Sequence, residues 1–123
     1  NVEYNNLAQK VSFTTMLDNL KSIGFNSVFV QIRGMGDAFY NSEFEPWSSS
    51  ITGKRGQDPG YDVLKFMIDE THKRGLEFHA WVNPYRIATR ASSSTNYPAL
   101  HSSVNDSWVV DHEKIQIYNP ALH

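Results

Sequence analysis

The sequence predicts an α/β fold built on parallel strands, and three observations carry that prediction. Apolar residues recur at helical spacing in two stretches, and each stretch runs directly into a short β-branched or aromatic segment. The resulting order is helix, strand, helix, strand, which favours βαβ units around a parallel sheet. The third observation is length. The 123 residues can enclose a real core, but they amount to only about half of an eightfold βα barrel, which takes about 250 residues.

The elements follow in chain order. Asn1 to Tyr4 is readable as the remnant of an earlier strand. From Ser12, a suitable N-cap, the residues Phe13, Met16, Leu17, Leu20 and Ile23 form one helical stripe, and Gly24 suits its C′ stop. Ser27 to Ile32 is a nearly apolar strand, as expected of a central strand covered on both faces. Leu64, Met67, Ile68 and Thr71 mark a second helix over Tyr61 to Arg74, with Asp62 as cap or first-turn acid and Gly75 at its end. Leu76 to Val82 is a second strand, stopped by Asn83-Pro84 because proline cannot donate to a ladder. Ala88 to Ser107, rich in Ser, Thr and Asn, reads as a loop excursion. After it, Trp108 to Val110 and Ile115 to Tyr118 flank the polar Asp111 to Lys114 as a small hairpin insertion. Neither a repeat nor a low-complexity linker divides the chain, so residues 1–123 are expected to belong to a single domain.

Composition narrows the function. With 40% hydrophobic and 20% charged residues the chain is of soluble globular type. A net charge of −2 and a pI near 6.2 supply no field for nucleic acid or an anionic membrane. The absence of cysteine removes disulfides, zinc thiolates and thiol catalysis. No apolar run approaches the ~18 residues of a membrane span, and the sequence begins at Asn1 with neither Met nor a signal peptide, as expected of a trimmed chain whose targeting segment has been removed. Neither a cofactor nor a metal is expected: no HxH or HExxH spacing occurs, His72 falls on a helix, His79 falls on a strand, and His101, His112 and His123 fall in loops. Ser48 to Ser50 lacks the strand-turn-helix setting of a nucleophilic serine.

Ligands of parallel βα sheets bind at the carboxyl ends of the strands. The first such place is the stretch of 28 residues from Arg33 to Gly60, far longer than the usual ~2 to 6 residues of a βα loop and rich in rings: Phe39, Tyr40, Phe44 and Trp47. The second is the end of the next strand, with His79, Trp81, Asn83, Tyr85 and Arg86. Residues 39–61 and 78–85 hold eight of the sixteen aromatics in 31 of the 123 residues, twice an even share. Rings beside Arg, Asp, Asn and His suit a polyhydroxylated ligand, because sugar C–H faces pack on rings while amides, carboxylates and guanidinium bind hydroxyls. The alternative is that the rings fill space under a long loop. Gln31 and Arg33 share a strand face by period 2, so Arg33 either clamps a ligand or pairs with Asp37. Gly34-Met35-Gly36 allows close backbone approach but lacks the glycine spacing of a nucleotide site. His79, Trp81 and Asn83 alternate on one face, as a ligand-facing row or as a bonded histidine with packing neighbours.

In combination, Val30-Gln31-Ile32-Arg33, Gly36 to Ser42, Pro46-Trp47-Ser48, Thr52-Gly53, Pro59 to Asp62 and His72 to Arg86 resemble the bacterial glycosyl hydrolase-like family 10. The likeness is dense over about residues 12–90, and Tyr118-Asn119-Pro120 resembles the family's segment ahead of its next helix. It implies a (βα)8 TIM barrel, of which this chain would be about the first three to four βα units. It also implies an envelope or extracellular location and, for some members, cleavage of peptidoglycan glycan strands stripped of their peptides. Matched by motif, Arg33, Asp37, Tyr40 and Trp47 would line one wall of the substrate cleft, and His79, Trp81, Asn83, Tyr85 and Arg86 the adjoining wall.

Glycoside hydrolysis generally needs two carboxyl groups flanking the bond. Asp37 is the best catalytic candidate in the chain. Glu43 and Glu45 read as solvated loop charges, and Glu77 shares the face of His79 nearer the start of the strand. The chain is thus expected to bind glycan, with the acids mostly downstream and no hydrolysis by this part alone. Two alternatives stand beside it: a non-catalytic carbohydrate-binding or envelope-scaffold protein, and a self-contained flavodoxin-like protein. Open strand edges make self-association a further expectation.

Overall fold

A computed structural model describes residues 2–89, 109–112 and 115–118 of the chain. Helix α1 spans Val2–Ser22 and strand β1 spans Ser27–Arg33. The short helix α2, Ser49–Thr52, lies within the long loop; α3, Val63–Lys73, and β2, Glu77–Val82, follow. Three short strands complete the described residues: β3 (Arg86–Thr89), β4 (Val109–His112) and β5 (Ile115–Tyr118).

The predicted order of helix and strand holds, and β1 pairs with β2 in parallel, Ser27 opposite Glu77 through Gln31 opposite Trp81. The same device delivers both helices into their strands. After α1, Gly24 takes φ +95° while its N–H bonds Lys21 O at 3.1 Å and the Phe25 N–H bonds Leu20 O at 3.0 Å. After α3, Gly75 takes φ +67°, with Gly75 N–H on His72 O at 2.9 Å and Leu76 N–H on Thr71 O at 3.2 Å. Both are Schellman ends, which demand a left-handed residue, and glycine adopts that conformation without a Cβ clash. At the other end of α3, Asp62 caps the Lys65 N–H at 2.8 Å as predicted.

The core lies between the helices and one face of the β1–β2 sheet. Leu17, Val28 and Leu76 form one cluster, and Ile32, Ile51, Val63 and Met67 another, with Phe13, Val30 and Phe78 packed against both. Three expectations are corrected here. Residues 2–4 belong to α1 instead of a strand, and Ser12 lies inside that helix; Ala8, Gln9 and Lys10 all favour helix, and no Gly or Pro interrupts it before Gly24. Within the expected stripe, Leu17 is fully buried whereas Met16 and Ile23 are 41% and 70% exposed, because a single packed sheet face receives only part of the helix. Nor is β1 covered on both faces or central: among the described residues it pairs only with β2, and Phe29, pointing away from the helices, is 72% exposed.

The hairpin is present as β4 antiparallel to β5, its strands extending to His112 opposite Ile115, so Asp111 and His112 belong to a strand and not to the turn. It is also joined by β3, which takes Ala88 and Thr89 out of the expected loop; residues 90–107 of that loop, His101 among them, and Trp108, Glu113, Lys114, Asn119, Pro120 and His123 lie outside the described residues. No helix among the described residues is long and apolar enough to cross a membrane.

Candidate functional site

The carboxyl ends of β1 and β2 lie side by side, and the long loop folds back over them. Ala38, fully buried, forms an isolated parallel bridge with Trp47: its N–H bonds Pro46 O at 3.0 Å, and its carbonyl accepts the Ser48 N–H at 2.9 Å. Ser48 then caps α2 by accepting from the Ser50 N–H, which gives this buried serine a structural task. Phe39, Tyr40 and Trp47 pack on the Ile32–Ile51–Val63–Met67 cluster from the loop side, whereas Phe44 is 63% exposed. The rings of the first wall thus divide between core filling and surface.

At the end of β1 the pairing skips a residue, so that Arg33 stands opposite Val82 after Gln31 opposite Trp81. Such a bulge re-aims a side chain. The Arg33 guanidinium turns onto Glu45: Nε donates to Oε1 at 2.5 Å, Nη2 forms an ion pair with the same oxygen, and Nη1 donates to the main-chain carbonyl of Asn83. The Arg33 and Glu45 side chains are only 8% and 14% exposed, so Glu45 is a buried partner of Arg33 and not a solvated loop charge. Burial pushes the Tyr40 phenol above the ordinary 10.0; the Glu45 carboxylate adds to the rise and Arg33 opposes it.

Asp37 therefore is not the partner of Arg33. It is buried in the turn that follows β1, where Oδ1 accepts the Met35 N–H at 3.2 Å and Oδ2 lies 3.8 Å from Arg55 Nη1. Arg55 also donates from Nη2 to Gly36 O at 2.6 Å, holding the turn from the loop side. Gly36, at φ +57°, brings its backbone close to Ile87, with the Ile87 Cα 3.6 Å from where a Cβ would stand. The close approach expected of this glycine is to β3.

On β2, Glu77, His79 and Trp81 alternate on the face away from the helices, as predicted. The His79 ring stacks on Phe29 at 4.7 Å and 15°, and its Nε2 lies 3.1 Å from Glu77 Oε2. Trp81 is 52% exposed and Tyr85 45%. The Trp81 Nε1–H donates to Asn83 Oδ1 at 2.9 Å, and Asn83 Nδ2 donates to Gly34 O at 3.3 Å. Arg86, on β3, has a buried Nε with no protein partner among the described residues.

Trp81, Asn83, Arg33 and Glu45 thus form one connected chain of contacts with Tyr40 beside it, while Asp37 belongs to a separate pair with Arg55 and His79 sits lower on the sheet face. Sequence reading missed Glu45 as a partner and missed Arg55 altogether. Neither lies in a periodic element, and an ion pair across a folded-back loop leaves no local signal. Two cavities, of about 260 and 360 Å³, lie on the helix side around Lys10 and Tyr61. No group of three or more His, Cys, Asp or Glu that could hold a metal occurs among the described residues.

This arrangement of motifs is shared with known proteins: the glycosyl hydrolase-like 10 family matches residues 1–120. The chain belongs to that family. It is 45% identical over 118 residues to "Glycosyl hydrolase YngK" of Bacillus subtilis (strain 168), covering 93% of this chain and 22% of that protein. It is 46% identical over 87 residues to "Glycosyl hydrolase DigH" of Escherichia coli (strain K12), covering 71% of this chain and 20% of that protein, and the DigH of Shigella flexneri matches equally. The chain therefore spans about a fifth of the length of the curated relatives it matches. In this glycosyl hydrolase-like 10 sequence, the long loop after β1 and the β2 end from Trp81 to Arg86 hold the candidate site.

Proposed function

We propose that the chain supplies two adjoining walls of a carbohydrate-binding cleft in a (βα)8 barrel glycosidase acting on N-acetylglucosamine-containing cell-wall glycan at the cell envelope. On this reading residues 1–123 form about the first three to four βα units of the barrel, and the catalytic carboxylates come mostly from elsewhere in a longer polypeptide. The observation that carries it is the half-exposed Trp81 indole at a strand end, its N–H bonded to Asn83 and with Tyr85 and Arg86 following in the chain, on the sheet face the helices leave bare. A flat ring beside hydrogen-bonding groups is the chemistry a sugar needs. Family membership and the relatives' glycosyl hydrolase names support it. Isothermal titration with an N-acetylglucosamine tetramer tests it: Trp81→Ala should weaken binding about tenfold with little change in melting temperature. Unchanged affinity would refute it.

A second reading, carbohydrate binding without catalysis, is favoured by one specific observation. Both carboxylates at the end of β1, Asp37 and Glu45, are committed to arginines and so are poorly placed to act as an acid/base pair. Turnover of the tetramer by the longer polypeptide would exclude it; binding without turnover would support it. The bare sheet face with Phe29 also supports self-association of this chain, and a clean monomer in light scattering at high concentration would exclude that.

A further inference from the structure

We infer that Asn83 is a positioning residue that acts through Trp81, holding the indole as a pre-aligned platform. The inference rests on reading Trp81 as a surface on which ligand stacks, and it moves Asn83 from ligand contact to orientation. All four polar groups of Asn83 are engaged within the protein. Its main-chain N–H donates to Arg33 O at 3.0 Å, and its main-chain carbonyl accepts from Arg33 Nη1. The side-chain amide bridges Trp81 Nε1 at 2.9 Å and Gly34 O at 3.3 Å. Its orientation is set by chemistry: the indole can only donate and the Gly34 carbonyl can only accept, so Oδ1 must face the ring and Nδ2 the backbone.

The consequence follows from exposure. A half-exposed tryptophan on a bare sheet face has little packing to fix its ring, so a ligand stacking on it must immobilise it first. The residue two along the strand lies on the same face, within reach of the indole N–H. A carboxamide anchored on the end of β1 is therefore a fixed stop against which the indole is held. That anchor is joined through Arg33 to Glu45, so the orientation of the platform is registered to the long loop of the adjoining wall. The saving of one immobilised side chain amounts to about two- to tenfold in affinity.

The test is a double-mutant cycle read in two ways. Without ligand, the indole N–H signal of Trp81, identified in a ¹H–¹⁵N spectrum by its loss in Trp81→Phe, should move upfield and broaden in Asn83→Ala. Asn83→Asp, which keeps an acceptor for the indole while losing the donor to Gly34, should keep the signal nearer its original position. With the N-acetylglucosamine tetramer, Asn83→Ala should weaken binding about two- to tenfold in the native background and not at all in Trp81→Phe, where no N–H is left to hold. An unmoved indole signal, an equal shift in Asn83→Asp, or an equal loss of affinity in both backgrounds would overturn the inference. If Trp81→Ala leaves tetramer binding unchanged, the carbohydrate reading fails, and the ligand-free spectrum still decides whether Asn83 holds the ring.

Discussion

Replacing Glu45 with alanine removes the carboxylate from Arg33 while the guanidinium stays where only 8% of its side chain reaches solvent. Breaking a buried ion pair from one side costs about 3 to 5 kcal/mol, because the remaining charge is left desolvated. Arg33 keeps the Asn83 carbonyl as an acceptor, and the site at Glu45 is 14% exposed and admits some water, so the low end, about 3 kcal/mol, applies. Urea denaturation reads this directly: with a slope of about 1.5 kcal/mol/M the midpoint falls by about 2 M at unchanged slope. Glu43→Ala is the control, since Glu43 is an exposed carboxylate of the same loop and should cost less than about 0.5 kcal/mol. Equal midpoints for the two variants would refute the argument, for they would mean that the Arg33–Glu45 pair is screened as a surface pair is.

The same variant should bring the Tyr40 phenol down toward its ordinary 10.0, since Glu45 raises it and Arg33 lowers it; an ultraviolet titration of ionised tyrosine checks this, and a further rise would be inconsistent. Burial raises Tyr40 and Tyr61 in the folded state, so the stability they contribute is full below pH 10.0 and is lost as pH climbs through their folded values; urea midpoints measured between pH 8 and 11 should fall only at the alkaline end. Trp47→Ala, which empties part of the loop-side packing on Ile32 and Ile51, should cost about 2 kcal/mol, distinguishing it from Trp81→Ala in the same thermal melt. Leu17→Ala should cost about 3 kcal/mol against under about 1 for Met16→Ala, because Leu17 has no exposed surface and Met16 is 41% exposed.

The parts of the fold legible in the sequence are those with local causes. Gly24 and Gly75 each close a long helical pattern, and a Schellman end needs nothing beyond the helix it closes, so both stops are readable. Asp62 at the start of α3 is the same kind of case. What the sequence hid depends on partners distant in the chain. Whether Met16 faces core or water depends on how many sheet faces reach α1, which no helical period encodes. Whether Glu45 is solvated depends on the loop bringing it back to a residue twelve positions earlier.

The site shows the same division, and it bears on where specificity would reside. Strand alternation placed His79, Trp81 and Asn83 on one face, but could not distinguish a residue that meets ligand from one that holds its neighbour. On the reading proposed above, Trp81 is the first kind and Asn83 the second: the indole is 52% exposed, whereas Asn83 spends both ends of its amide on the protein. Arg33 is similar in kind, because its three bonded nitrogens face Glu45 and Asn83. A guanidinium so committed lends rigidity between two strand ends. Sites held to within about 0.5 Å need such supporting contacts, because an exposed ring or loop left free would average over positions. The open groups at the strand ends, Trp81 and Tyr85, are therefore where substitution should alter affinity for a ligand, and Arg33, Glu45 and Asn83 are where it should alter the precision with which those rings are held.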